Sequence, residues 1–99
     1  MLYQHFRLYD GKTGEVLPTG GATVAWSHTT RIGAVSICSP QDHFSRAEGR
    51  DHALGRMWGE QGILRHQDFK FVLPTLRIGH PCRGLLVQAI AWLTWQALQ

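Results

Sequence analysis

Hydrophobic and polar positions alternate along the first third of the chain. In "LYQHFRLYD" Leu2, Gln4, Phe6 and Leu8 fall on one side and Tyr3, His5, Arg7 and Tyr9 on the other, the period-two signature of a strand. "DGKTG" then turns the chain. "EVLPTGGATVAWSHTT" reads as a short strand, a break at Pro18-Thr19-Gly20-Gly21 and a second strand, and "RIGAVSICS" adds a short run rich in β-branched residues. Three or four antiparallel strands are therefore predicted before residue 39.

At Ser39-Pro40-Gln41-Asp42 the pattern changes. A serine able to cap, a proline suited to the first helical position and an acid near the exposed amides predict a helix over about 39–58. On its wheel Phe44, Ala47, Leu54 and Trp58 form an apolar face, with Asp51 intruding on it, while Arg46, Gly49, Arg50, Ala53 and Arg56 lie broadly opposite. "ILRHQDFKFVLP" reads as a further strand or as a strand after a loop, ending at Pro74, and "TLRIGHPC" is rich in turn residues. A last helix is predicted over about 83–98. Leu86, Ile90, Leu93 and Ala97 make one stripe on it, and Leu85, Gln88, Trp92, Trp95 and Gln99 make another. The expected fold is α+β, a small antiparallel sheet of about four strands with the two helices packed on it, in a single domain spanning residues 1–99.

Composition narrows the function classes. Of the residues 43% are hydrophobic and 17% charged, which excludes a disordered chain. The formal charge of +3 is a modest excess, but eight of the ten cations are arginine, whose planar fork grips phosphate or carboxylate. An acidic partner is expected. The apolar run from Gly84 to Leu98 is shorter than the roughly 20 residues that span a bilayer, and it is broken by Gln88, Thr94 and Gln96, so no membrane is expected. With two cysteines and no N-terminal apolar run, the cytoplasm is the expected compartment.

Catalytic and metal signatures are sparse. Cys38, His43, His80 and Cys82 are the side chains a fold would have to assemble into a metal site, yet there is no CxxC, HxxxH or HExxH spacing, so no metal and no other cofactor is expected. Cys38, placed at a strand end just before the predicted helix with His43 a turn away, is the one candidate nucleophile. No separate acid or oxyanion donor accompanies it, and Gly11, Gly14, Gly20 and Gly21 do not have P-loop spacing. A non-enzymatic protein is expected.

Glycine inside a helix costs about 1 kcal/mol relative to alanine. Gly49 and Gly55 therefore imply close approach of something to the helix, with Gly55 beside Phe44 assigned to intramolecular packing. The partner-binding face expected on this ground is Arg46, Gly49, Arg50, Ala53 and Arg56. The run "VSICSPQDHFSRAEGRDHALGRM", with C-S-P-x-D-x-F followed by G-R-x-x-A-x-G-R, resembles a run in small uncharacterised proteins encoded by bacteriophages and mobile elements, and it covers about a quarter of the chain. The resemblance implies an accessory role in a bacterial host and transfers no catalytic residue. The expected function is a binding protein of this phage or mobile-element type, in the manner of an inhibitor of a CRISPR or other host defence complex, with nucleic-acid binding through the same arginines as the alternative. Leu85, Gln88, Trp92 and Trp95 are expected to face a second copy or the target, because aromatic anchors among polar groups mark interfaces.

Overall fold

The computed structural model describes all 99 residues. Five strands form one sheet in the order β1-β2-β3-β5-β4: β1 Leu2–Phe6, β2 Thr19–Ser27, β3 Ile32–His43, β4 Ile63–Arg65 and β5 Lys70–Val72. All neighbours pair antiparallel except β3 and β5, which are parallel through Ile32↔Lys70, Gly33↔Phe71 and Ala34↔Val72. A parallel pair needs a crossover, which α1, Arg46–Arg56, provides together with the strand β4. The second helix, α2, spans Arg83–Ala97. The α+β class is as expected, with one strand more than four because residues 63–72 form a hairpin rather than one strand.

The helices cover opposite faces of the sheet. Along β2, Val24 and Trp26 join Val35, Phe71, Ala89, Leu93 and Ala97 in one core, while Ala25 joins Ala34, Ala53, Met57 and Val72 in another. The α2 side holds the large side chains, and the α1 side is lined by Thr23, Ala25, Ala34 and Ser36, all buried. Each helix comes close to the sheet at a glycine. A Cβ on Gly33 would lie 2.5 Å from Leu93 Cδ2, and one on Gly49 would lie 2.1 Å from Thr23 Oγ1.

The helix expected from residue 39 begins later. β3 continues to His43, which pairs with Thr19, and Ser39–Asp42 is an excursion opposite the single residue Gly20. Ser39 Oγ accepts the amide of Gln41 instead of capping a helix. Ser45 is the cap, its hydroxyl accepting the Glu48 amide at 3.2 Å, in the S-x-x-E pattern that marks helix starts. The expected apolar face is corrected as well. Ala47, Leu54 and Trp58 are exposed, Ala53 and Met57 are buried, and Asp51 therefore points to solvent without a partner to find. A helix lying on a floor of Thr, Ala and Ser must present small residues to it, so side-chain size, not hydrophobicity, selects the inward face. Gly55, expected to pack intramolecularly, has nothing near it; Gly49 has that role.

On α2 the buried positions are Leu85, Ala89, Leu93 and Ala97, with Leu86 and Trp92 half-buried against the same core. Leu85 is only 5% exposed, packed with Ala22 and Cys82, and so cannot serve the expected interface. At its C-terminal end the helix is held by Arg31, whose guanidinium donates to the Ala97 carbonyl and, through Nε, to that of Asp68 at 3.2 Å. A cation suits the carbonyl end of a helix. No helix is long and apolar enough to cross a membrane.

Candidate functional site

Basic groups gather where α1 starts beside the edge strand β1. Arg46 follows the Ser45 cap, and Arg50 sits one turn later; both are exposed. His5 faces α1 from β1, its Nδ1 2.9 Å from Thr23 Oγ1. Arg7 lies just past β1, donating from Nη2 to the Leu17 carbonyl at 2.9 Å and holding its guanidinium 4.3 Å over the Phe44 ring. Phe44 in turn meets His5 edge-on, with centroids 5.5 Å apart. Arg7 Nε is buried without a hydrogen-bond partner. Burial, then the fields of Arg46, Arg50 and Arg7, hold the His5 pKa below its ordinary 6.5.

These cations are not neutralised from within. The only ion-pair contact in the chain is His66 to Asp68 at 4.0 Å, so no arginine is engaged with a carboxylate. Glu48 and Asp51 of α1 are exposed and lie round the helix from Arg46 and Arg50. The expected arginine face is thereby redrawn. Arg46 and Arg50 stay together, Arg56 is half-buried about 120° round the helix from Arg50, and Ala53, 0% exposed, and Gly49, set on Thr23, belong to the packing with the sheet. His5 and Arg7 take their place. The alternation of Tyr3, His5 and Arg7 is the sequence signal that carried them, but it does not reveal that His5 reaches the field of Arg46 and Arg50.

The depressed pKa of His5 has a consequence for stability. Between its folded value and 6.5 the unfolded chain binds a proton that the folded chain does not, so stability is complete above 6.5 and falls as pH drops through that window. The urea midpoint is expected to decline from pH 7 towards pH 5, and His5→Asn to flatten that decline. Asp10 acts lower down: amides of Thr13 and Lys12 hold its pKa below the ordinary 3.8, and its contribution is lost only under that value.

The cysteines are placed differently from a nucleophile. Cys38 lies inside β3, not at a helix start, and its thiol donates towards the backbone carbonyls of Asp42 and His43 at 3.6 and 3.5 Å rather than to an imidazole. Burial pushes its pKa up, and does the same for Cys82, whose thiol is 3.7 Å from the Cys38 carbonyl. A thiol so placed resists the ionisation that nucleophilic attack requires. His80 Nδ1 accepts the Cys82 amide at 3.0 Å, and no three His, Cys, Asp or Glu side chains converge into a cluster that could hold a metal ion.

Two further features lie away from the basic patch. A groove of about 750 Å³, open to solvent at the other end of β2, is lined by Arg31, His66, Asp68, Phe69, Thr94 and Leu98, with the His66 ring stacked 4.5 Å from that of Phe69. The outer side of α2 exposes Val87, Gln88, Ala91, Trp95 and Leu98. Gln88 and Trp95 of the expected interface are on it, whereas Trp92 is half-buried against the core. Comparison with protein-family models, with curated proteins and with solved structures finds no match to this chain.

Proposed function

We propose that the chain is a non-enzymatic binding protein that docks on an acidic protein surface through Arg46, Arg50, Arg7 and His5. The observation that carries this reading is the gathering of four basic groups from β1 and α1 with no carboxylate paired to any arginine among them. Unpaired guanidinium groups on a regular helix offer charge-assisted, forked hydrogen bonds without first breaking internal ones. The run at residues 38–56 points to a phage or mobile-element setting for this activity, with occlusion of a host defence complex as its outcome. The bias towards arginine, eight of ten cations, favours a second reading in which the same patch grips the phosphates of a nucleic acid. No exposed aromatic is interleaved with Arg46 and Arg50, and the stacking that single-stranded nucleic acid adds has no platform there.

Capture of partners from a bacterial lysate, with and without nuclease, separates the two. Retention after nuclease treatment supports a protein partner, and loss supports nucleic acid. In either case Arg46→Glu with Arg50→Glu is expected to weaken binding roughly 100-fold, two charge-assisted contacts being worth at least about 3 kcal/mol together, while circular dichroism and melting stay as in the wild type. A negative partner also raises the His5 pKa, so binding is expected to tighten as pH falls from 7.5 to 6. Wild-type affinity in the folded double mutant, or affinity independent of pH, would sink the reading.

A further inference from the structure

From Gly84 to Gln99 the chain carries no charged side chain, although α2 is a surface helix of a protein with net charge +3. Surface helices normally turn charges outward. Here Gly84, Gln88, Ala91, Trp95 and Leu98, spaced 4-3-4-3, are all exposed, with Val87 beside them. Val87, Trp95 and Leu98 are 63%, 66% and 76% exposed. That spacing is the seam of one helix packing against another. It is separate from the stripe Leu85, Ala89, Leu93 and Ala97 that holds α2 on the sheet.

We propose that this face pairs α2 with α2 of a second copy of the chain, antiparallel about a two-fold axis at Ala91. A two-fold axis at that position sets residue 87 beside residue 95 and residue 84 beside residue 98 of the other copy. Side-chain sizes then fit at each level: Ala91 meets Ala91 at the crossing, where close approach is needed, Val87 meets Trp95, and Gly84, whose side-chain direction is open space, receives Leu98. The polar pair Gln88 and Thr94 falls at matching heights. Charge selects the occupant. Two basic molecules repel over most of their surfaces, and this helix is the face on which they meet without bringing like charges together, whereas an acidic partner gains nothing from it. The antiparallel arrangement also sets the two helix dipoles head to tail.

The face is short, about 21 Å from Gly84 to Leu98, so the dimer belongs to the small interfaces and its dissociation constant is expected in the micromolar range, roughly 1–100 µM. Sedimentation equilibrium of the full chain is expected to show a monomer–dimer equilibrium, and Ala91→Glu, which sets two carboxylates together at the axis, is expected to leave a folded monomer. The axis itself is read by cysteines placed on a Cys38→Ala background, Cys82 being fully buried. Ala91→Cys is expected to cross-link readily under mild oxidation. Gln99→Cys is not, its two copies standing about 24 Å apart along the helices at 1.5 Å per residue. A wild-type chain that stays monomeric at about 1 mM, roughly ten times the weakest constant expected, overturns the proposal and leaves the face to a different protein. Efficient cross-linking at residue 99 overturns the antiparallel axis, and an Ala91→Glu chain that still dimerises overturns the surface.

Discussion

Trp26→Ala is expected to cost about 3–5 kcal/mol, a large part of the roughly 5–15 kcal/mol that holds a domain of this length together. Trp26 is the largest fully buried side chain, set edge-on to Phe71 at 6.1 Å with the Arg31 guanidinium 5.2 Å from its ring. It sits under α2 between strands that both carry neighbours against it, so the cavity left by alanine cannot close by the movement of a loop. Its indole Nε1 is buried without a partner. Trp26→Phe should therefore lose less than the change in volume implies, because it also removes an orphaned donor whose burial costs about 1–3 kcal/mol. Urea denaturation of the three proteins checks both statements, and a phenylalanine variant as unstable as the alanine one would show that the orphaned donor carries no penalty.

Gly49→Ala and Gly55→Ala are expected to act in opposite directions, although both replace a glycine in the same helix. At Gly55 nothing lies near the new methyl, so the gain in helix propensity, about 1 kcal/mol, should appear as added stability. At Gly49 the methyl would lie 2.1 Å from Thr23 Oγ1 and 3.0 Å from Thr23 Cβ. Thr23 cannot turn aside cheaply, being 1% exposed, β-branched and bonded to His5 Nδ1. The expected net loss is about 1–3 kcal/mol, and Thr23→Ala should recover part of it in the double variant, since the nearest clashing atom is then gone. Lifting α1 also moves Arg46 and Arg50 away from His5, so a rise in the His5 pKa followed by NMR should accompany the loss. Equal effects at the two glycines would mean that α1 does not rest on Thr23.

The strands were legible where the alternation was clean, as in residues 2–6 and 22–26, and the last helix was legible because no glycine or proline interrupts the chain from Leu85 to Leu98. Ser39-Pro40 imitates a helix start in every local respect. What overrides it is long-range: His43 finds Thr19, and a strand with a partner outweighs a favourable cap. The cap in use, Ser45 with Glu48, was equally visible in the sequence, and only the earlier signal hid it. Faces were harder than boundaries. Leu54, the most hydrophobic residue of α1, and Trp58, just past its end, still face water, because the inward side is set by the small residues of β2 and β3, which a helical wheel drawn for α1 alone does not contain. For the site, the spacing of Arg46 and Arg50 identified half of the basic patch. His5 and Arg7 were out of reach because their position beside α1 depends on the pairing of β1 with β2, whose residues lie eighteen apart in sequence at His5 and Thr23.

The unequal faces of the sheet also bear on how the chain avoids folding wrongly. A slip of one residue in β2 would exchange Val24 and Trp26 for Thr23 and Ala25. Tryptophan would then point at the helix that rests on a bare glycine, and alanine would stand beneath the one built around Leu93. Neither layer could close: one would be held open by an indole and the other would enclose a void. Mistakes in strand alignment are thus rejected twice, once from above and once from below. The same size difference sorts the helices, since α1 with Gly49 and Ala53 cannot fill the space over Trp26 and Phe71, and α2 with Leu85 and Leu93 cannot lie down on Thr23 and Ala25. A short chain with few charges to steer it carries, in the alternation of large and small side chains along one central strand, the instruction for which partner goes on which side.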